Sequence, residues 1–286
     1  SKRIMKKHLR KDPICFMQIH KPMSENQNLD PKFNPFKARP KKGTHIKKMI
    51  AVVSGKGGVG KSTVAAFLAS HAQKSGFQTG LIDGDIVGPS MGQFFNIHTQ
   101  AFGSDDGIVP YETESGLKVI TSNMLVESET TPILWRGALI TNAVKQFYTD
   151  VAWGELDLVV VDMPPGTGDI ALTVFQSLPI DGIIIVTTPQ DLVSMIVSKA
   201  IEMAQKMNVP ILGIIENMSY MDCDDCGKRH YPFGQSKVKD LADKYNLPVI
   251  AQLPIVPLFN QLADEGRIEE VDSEDFTWLV ESIMVD

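Results

Sequence analysis

Cysteine is scarce in this sequence, since the 286 residues include only Cys15, Cys223 and Cys226. Three thiols cannot form the disulfide framework of a small secreted protein, so a reducing cytosol is the simpler setting. No apolar run approaches the roughly 18–20 residues that cross a bilayer. The N-terminus lacks the continuous apolar segment of a secretion signal. We therefore expect a cytoplasmic protein that does not act on membranes, with an organellar presequence in the basic N-terminal arm as the alternative.

Basic residues are also scarce outside the N-terminal arm. Residues 1–50 hold 14 Lys and Arg and 3 Asp and Glu, a net charge of +11, whereas residues 51–286 hold 14 and 31, a net charge of −17. Residues 1–47 combine this charge with little apolar periodicity, which predicts a disordered arm. The remainder, residues 48–286, is predicted to be one domain. Its negative charge argues against nucleic-acid binding by the folded part.

From Met49 onward, short apolar runs alternate with segments of helical spacing. The predicted strands are residues 49–54, 79–83, 156–162, 182–188, 210–217 and 248–254; the predicted helices are 61–76, 136–149, 190–207 and 273–284; residues 99–121 suggest a small hairpin. This alternation predicts an α/β fold with a mostly parallel sheet built from right-handed βαβ units. Ligands of such folds bind at the carboxyl ends of the strands.

A phosphate-binding loop follows the first predicted strand. The stretch GKGGVGKS fits G-x-x-x-x-G-K-[ST] and lies between a strand and a helix, which is the context that the motif requires. Lys61 is expected to reach the β- and γ-phosphates, Ser62 to ligate Mg²⁺ and Thr63 to bond the α-phosphate. The predicted nucleotide-binding residues of this loop are Gly55, Lys56, Gly57, Gly58, Val59, Gly60, Lys61, Ser62 and Thr63.

Acidic residues end two further predicted strands. Asp83 and Asp85 lie in IDGDIVGPSM, and Asp162 closes the apolar run of LDLVVVD. Asp162 occupies the position that holds Mg²⁺ in phosphate-loop NTPases, directly or through water. Asp85 is expected to orient or activate the attacking water, with Asp83 supporting it, and both Asp83 and Asp85 are predicted to contribute to the Mg²⁺ site. The glycines of the following PPGTGD can sense the γ-phosphate through a backbone N–H, as switch segments do.

Two residues are candidates for contact with the nucleotide base. Asn217 ends a predicted strand, and its carboxamide can both donate to and accept from an adenine edge. Pro254 lies in LPIVP, which can pack against the base. Taken alone, Asn217 could instead be a turn-forming residue, and LPIVP could be a loop that does not contact the base.

Cys223 and Cys226 form a CxxC in a loop near residues 219–234. A redox disulfide is disfavoured, because the flanking Asp222, Asp224 and Asp225 are expected to raise the thiol pKa. Zinc needs four ligands, and one chain offers two cysteines and His230, unless two chains share the metal. A [4Fe–4S] cluster needs four thiolates, which two copies of this pair would supply across a two-fold axis. Spacing does not separate zinc from the cluster.

Taken together, these motifs resemble the Mrp/ApbC family of iron–sulfur cluster carrier ATPases. That family belongs to the deviant Walker A group of phosphate-loop NTPases, with the MinD, ParA and nitrogenase iron protein families. The resemblance covers about residues 48–260. The matching stretches are SGKGGVGKST, IDGDIVGPSM, LWRG, DVAWGELDLVVVDMPPGTGD, TTPQDLV, ENMSYMDCDDCG and QLPIVP.

The resemblance implies an ATP-binding, slowly hydrolysing homodimer. The family would hold a labile [4Fe–4S] cluster between subunits, here on Cys223 and Cys226, and pass it to apo-proteins. It also implies that Lys56 reaches across the dimer to the partner's nucleotide, much as an arginine finger does.

The alternative is a MinD/ParA-like positioning ATPase with structural zinc at the CxxC. MinD-like proteins bind membranes through a basic amphipathic C-terminal helix. This chain has no Lys or Arg after Arg267. The apolar face formed by Phe276, Leu279, Val280 and Ile283 is therefore predicted to pack in the core.

Overall fold

The computed structural model describes residues 37–125, 137–192 and 195–284. Most of the predicted arm, residues 1–36, lies outside the described residues, as do Leu134, Trp135 and Arg136 of LWRG. The first strand begins at His45 rather than at the predicted residue 49, because His45 and Ile46 already pair with Glu155 and Leu156.

A mostly parallel sheet forms the centre of the molecule. Within the described residues it has nine strands, in the order β10-β9-β8-β1-β7-β2-β6-β5, with β11 paired to β9. Only β5–β6 and β9–β10 are antiparallel among these pairs. The sheet strands are β1 His45–Ser54, β2 Thr79–Asp83, β5 Tyr111–Glu112, β6 Lys118–Ile120, β7 Glu155–Asp162, β8 Gly182–Thr187, β9 Ile211–Asp222, β10 Arg229–His230 and β11 Val249–Pro254.

The predicted α/β class and parallel sheet are confirmed, but details differ, and the helices at Met91–Phe94, Asp169–Ser177, Val238–Tyr245 and Pro257–Asp264 were not predicted. The hairpin predicted within 99–121 exists as β3 Gly103–Ser104 and β4 Gly107–Ile108, but β5 and β6 of the same region join the main sheet. Strand β9 continues five residues beyond the predicted end at Asn217, to Asp222. The predicted helix 190–207 begins later, after a 3₁₀ turn at Pro189–Leu192.

Helices connect and flank the strands. They are α1 Lys61–Lys74, α2 Met91–Phe94, α3 Gly137–Thr149, α4 Asp169–Ser177, α5 Met195–Lys206, α6 Val238–Tyr245, α7 Pro257–Asp264 and α8 Glu274–Met284. No helix of the described residues is long and apolar enough to cross a membrane.

The apolar face of α8 packs in the core, as predicted. Phe276, Leu279, Val280 and Ile283 are all buried. The ring of Phe276 meets Phe67 of α1 edge to face, with 5.4 Å between ring centroids. In this conformation these four apolar side chains of α8 therefore pack within the molecule.

The sheet register brings the acidic strand ends together. Asp83, the last residue of β2, is paired directly with Asp162, the last residue of β7. Ser54 ends β1, the neighbour of β7 on its other side. Because these strands run parallel, their carboxyl ends meet at one edge of the sheet, where the phosphate loop begins.

Candidate functional site

Two glycines of the phosphate loop are required by its backbone. Gly58 and Gly60 adopt left-handed conformations with φ of 80° and 81°, and α1 starts immediately after Gly60. A Cβ on Gly60 would lie 2.1 Å from the side-chain nitrogen of Asn217. The Ser54 hydroxyl donates to the carbonyl of Lys56 at 2.8 Å. The loop thus presents backbone N–H groups at a helix N-terminus, which is a site for anions.

Lys61 and Ser62 both contact Asp162. The Lys61 ammonium forms a short ion pair with one carboxylate oxygen, and the Ser62 hydroxyl donates to the other at 2.6 Å. Asp162 is fully buried, and that burial raises its pKa while the ammonium and Ser62 oppose the shift. A serine hydroxyl beside a carboxylate is an all-oxygen donor set of the kind that Mg²⁺ prefers, so these residues fit that metal.

Asp83 is fully buried and holds the loop that carries Asp85. One of its oxygens accepts hydrogen bonds from the backbone N–H groups of Ser90 and Met91, both at 3.2 Å, and from the Thr121 hydroxyl at 3.0 Å. Burial, followed by the neighbouring Asp162, raises the pKa of Asp83 to about 7. Asp83 is thus tied to the loop that follows β2.

Asp85 lies two residues further on and is only half-buried. Its carboxylate accepts from the Gly88 N–H at 3.2 Å. It lines a cleft of about 430 Å³ together with Val87, Pro164 and Ile170. Asp85 therefore borders an open space, whereas Asp83 and Asp162 are enclosed.

Residues at the end of β6 were missed by the sequence reasoning. Thr121 is fully buried against Asp83, and the Ser122 hydroxyl donates to the carbonyl of Ile86 at 3.3 Å. The signal was present, since a polar TSN follows the apolar LKVI. It was not used because residues 99–121 were assigned to a separate hairpin rather than to a strand of the main sheet.

The PPGTGD segment lies against the phosphate loop. The Gly166 N–H donates to the carbonyl of Ser54 at 3.1 Å, and Pro165 approaches Gly57. The Gly84 N–H donates to the carbonyl of Asp162 at 2.8 Å, which joins the two acidic strand ends. Lys56 is exposed in the same loop, and Thr63 lies in the first turn of α1.

Of the two candidate base-contacting residues, Asn217 lies at this site. The side-chain nitrogen of Asn217 donates to the carbonyl of Val59 at 3.0 Å, so Asn217 touches the phosphate loop itself. Pro254 ends β11 and is paired with Tyr220 of β9. The Ile255 N–H donates to the Tyr220 carbonyl at 2.6 Å, which continues this pairing beyond the strand.

The two C-terminal cysteines lie in a tight turn between β9 and β10. The Cys223 N–H donates to the Lys228 carbonyl at 2.9 Å, and the Gly227 N–H donates to the Cys223 carbonyl at 2.8 Å. Gly227 closes the turn with a φ of 69°. Both thiols are free, and Cys226 is exposed.

The net direction expected for the Cys223 pKa was wrong. Its pKa is lowered, because the backbone N–H groups of Cys226 and then Asp225 donate to its sulfur, with a further contribution from the Cys226 side chain. Asp224 raises this pKa, but its effect is smaller than that of the N–H groups. The turn geometry therefore favours a thiolate, the form that binds metals.

The metal-binding set at this turn is incomplete in one chain. Among the described residues, no group of three or more His, Cys, Asp or Glu side chains is arranged to hold a metal ion. His230 therefore does not join the two cysteines as a third ligand. Two thiols alone satisfy neither zinc nor an iron–sulfur cluster.

Comparison with known proteins shows the family of this chain. Residues 45–284 match the model of the ParA-group family described as the NUBPL iron-transfer P-loop NTPase. The chain belongs to this family. It is 45% identical over 238 residues to an iron–sulfur cluster carrier protein of Clostridium perfringens, covering 80% of this chain and 84% of the relative. A carrier of the same name from Saccharolobus solfataricus is 43% identical and covers 78% of this chain and 76% of the relative.

Solved structures agree with this assignment. A nucleotide-binding protein from Archaeoglobus fulgidus, in complex with ADP, is 42% identical, with a TM-score of 0.73 over 81% of this chain and 91% of that one. The MinD protein of Pyrococcus horikoshii, complexed with Mg-ADP, has a TM-score of 0.61 at 19% identity, covering 84% of this chain and 96% of its own. At that identity the MinD likeness shows the shared fold alone.

Proposed function

We propose that this NTPase binds and hydrolyses ATP with Mg²⁺ and carries a [4Fe–4S] cluster, which it holds at a homodimer interface and transfers to apo-proteins. The observation that supports the cluster most directly is the cysteine turn. It stabilises a thiolate at Cys223 and exposes Cys226, yet it supplies two of the four thiolates that a cluster needs. A two-fold axis beside the turn would complete the set.

In the ATP site, each residue has a role that its contacts support. Lys61 would turn from Asp162 to the β- and γ-phosphates, leaving Asp162 and Ser62 to hold Mg²⁺. Asp85 borders the open cleft and would orient the attacking water, while Asp83 holds the loop of Asp85 in place. Thr63 would bond the α-phosphate.

The base and the partner subunit complete the proposed ATP site. Asn217 and Pro254 lie on neighbouring strands and would contact the adenine. Lys56, exposed in the loop, would reach the phosphates of the partner subunit's nucleotide. We propose a cytoplasmic location and expect that the folded domain binds neither membranes nor nucleic acid.

Anaerobic reconstitution with iron and sulfide tests the cluster. We expect wild type to bind about one [4Fe–4S] per two chains, because four thiolates are needed. Cys223→Ala and Cys226→Ala should each lose it, whereas Cys15→Ala, the matched control, should retain it. Full cluster binding by either of the first two variants would show that the site is elsewhere. Zinc without iron in the wild type would instead support a structural zinc site.

A further inference from the structure

A buried carboxylate lies on β9, between the phosphate loop and the cysteine turn. Glu216 has no exposed surface. It accepts hydrogen bonds from the Ser219 hydroxyl at 2.5 Å, the Gln252 amide at 2.9 Å and the Ser236 hydroxyl at 2.9 Å. Burying a carboxylate costs more free energy than burying an apolar side chain. We therefore look for the role of Glu216 in the segments that its hydrogen bonds hold together.

Those bonds join three segments of the molecule. Ser219 belongs to β9, which carries Asn217. Gln252 belongs to β11, which ends at Pro254, and its amide also donates to the Ser236 hydroxyl at 2.8 Å. Ser236 lies in the segment that follows the cysteine hairpin. One carboxylate thus connects both strands that reach the nucleotide region with the chain that leaves the cysteines.

Strand β9 connects the two sites directly. Asn217 follows Glu216 and contacts Val59 and Gly60 of the phosphate loop. Met218 then adopts a left-handed backbone with a φ of 55°, which is unfavourable for a side chain of this type. Cys223 lies six residues beyond Asn217, roughly 20 Å of extended chain. A displacement of the phosphate loop would therefore move Asn217 and with it the strand that leads to Cys223.

We propose that Glu216 is a positioning residue that couples nucleotide binding to cluster binding. By fixing β9, β11 and the segment after the hairpin to one another, it makes a shift of Asn217 reach the cysteine turn. This inference rests on the proposed function. Since coupling between two ligands is reciprocal, each should change the affinity for the other by the same factor.

The coupling is measured with the full-length protein after cluster reconstitution. Cluster loss to an iron chelator is timed with and without a non-hydrolysable ATP analogue, and the dissociation constant of that analogue is measured with and without the cluster. In the wild type we expect a ratio of at least about fivefold in the analogue's dissociation constants, the lower range of allosteric coupling. The cluster-loss rates should differ between the same two nucleotide states.

Substitutions at Glu216 and Gln252 separate coupling from folding. Glu216→Gln places one amide opposite another. We expect the ratio of the analogue's dissociation constants, measured with and without the cluster, to fall below about twofold. Each ligand alone should still bind with an affinity within about threefold of wild type. The exchange Glu216→Gln with Gln252→Glu restores one carboxylate and one amide, and should restore the ratio. Tyr245→Phe, which removes a hydrogen bond to Ser198 elsewhere, is the control that should leave it unchanged.

A second variant tests the inference in case Glu216→Gln does not fold. Gln252 is exposed, so Gln252→Ala removes the bonds from β11 to Glu216 and Ser236 with little risk to folding, and it should also lower the ratio. A wild-type ratio near one with both ligands bound would overturn this inference but not cluster carriage. So would an undiminished ratio in both Glu216→Gln and Gln252→Ala. A wild type that binds no iron and sulfide would instead overturn the proposed function, and this inference with it.

Discussion

The two lysines of the phosphate loop differ in their surroundings. Lys61 is nearly enclosed and forms an ion pair with Asp162, whereas Lys56 is exposed. A side chain already turned into its own site is suited to nucleotide bound by the same chain. For Lys56, the proposed role is contact with the nucleotide of the partner subunit. These two environments predict different consequences of substitution.

We expect Lys61→Ala to lose nucleotide binding and Lys56→Ala to keep it but lose hydrolysis. Removal of Lys61 takes away the phosphate contact and leaves the buried Asp162 without its ion pair, which should also lower stability by about 3–5 kcal/mol. An arginine finger raises the hydrolysis rate by about 10³-fold or more, so removal of Lys56 should lower the rate by about that factor. Binding of a fluorescent nucleotide and phosphate release check both. Equal hydrolysis by wild type and Lys56→Ala would contradict the assigned role.

At the scale of elements, His71 joins two helices. It belongs to α1 and is 2% exposed. One ring nitrogen lies 2.8 Å from the Phe67 carbonyl, and the other accepts from the Ser273 N–H at 3.0 Å, just before α8. These partners require a neutral ring, protonated on the nitrogen that faces Phe67. Burial and then the charge of Lys74 lower the pKa of His71, against the Phe67 carbonyl and Asp272.

This contact predicts a loss of stability in mild acid. The folded-state pKa lies below the unfolded value of about 6.5, so the unfolded chain takes up the proton first as pH falls. The contribution of neutral His71 is complete above about pH 6.5 and declines below it, by at most about 1.4 kcal/mol per pH unit, down to the folded pKa. Urea unfolding of wild type and His71→Leu at pH 7.5 and pH 5.5 measures this contribution to the free energy of unfolding.

The wild type should lose more unfolding free energy between these two pH values than His71→Leu. At pH 7.5 the variant should be less stable by about 1–3 kcal/mol, because the buried Ser273 N–H loses its acceptor. His45→Gln, at an exposed histidine of β1, should behave as wild type does. A pH dependence that is the same in His71→Leu and wild type would contradict this contribution.

At the scale of the whole molecule, the roles proposed for the cysteine pair and for Lys56 both require a second chain. Complementation between variants can test this. In a dimer of one Lys56→Ala chain and one Lys61→Ala chain, the site of the first keeps its own Lys61 and receives Lys56 from its partner. Each homodimer of a single variant lacks one of these lysines in both sites.

An equimolar mixture should therefore regain about a quarter of the wild-type hydrolysis rate, since half of the dimers would carry one complete site of two. Phosphate release is measured after the chains have exchanged, with each variant alone as the control. A mixture that is no more active than the separate variants would contradict an ATP site shared between chains.

Much of the fold and of the ATP site could be predicted from the sequence. Apolar runs such as LDLVVVD and GIIIVTT mark strands buried on both faces, and their period differs from that of the helices between them. The phosphate loop and the acids at the ends of β2 and β7 are also local signals, because parallel strands bring their carboxyl ends to one edge. The family resemblance predicted the same fold, and the matched family and relatives confirm the family and the fold.

Other features depended on contacts between residues far apart in the chain. The neutral His71 depends on Ser273, the support of Asp83 depends on Thr121, and the bonds of Glu216 depend on Gln252. The lowered pKa of Cys223 depends on N–H directions set by the turn, which residue types alone do not reveal. The sequence by itself determined the six longer strands, four of the helices and the residue types at the strand ends, because periodicity and motifs are local. Only the tertiary structure decided which buried polar groups meet, because a hydrogen bond depends on distance and direction between atoms that folding brings together.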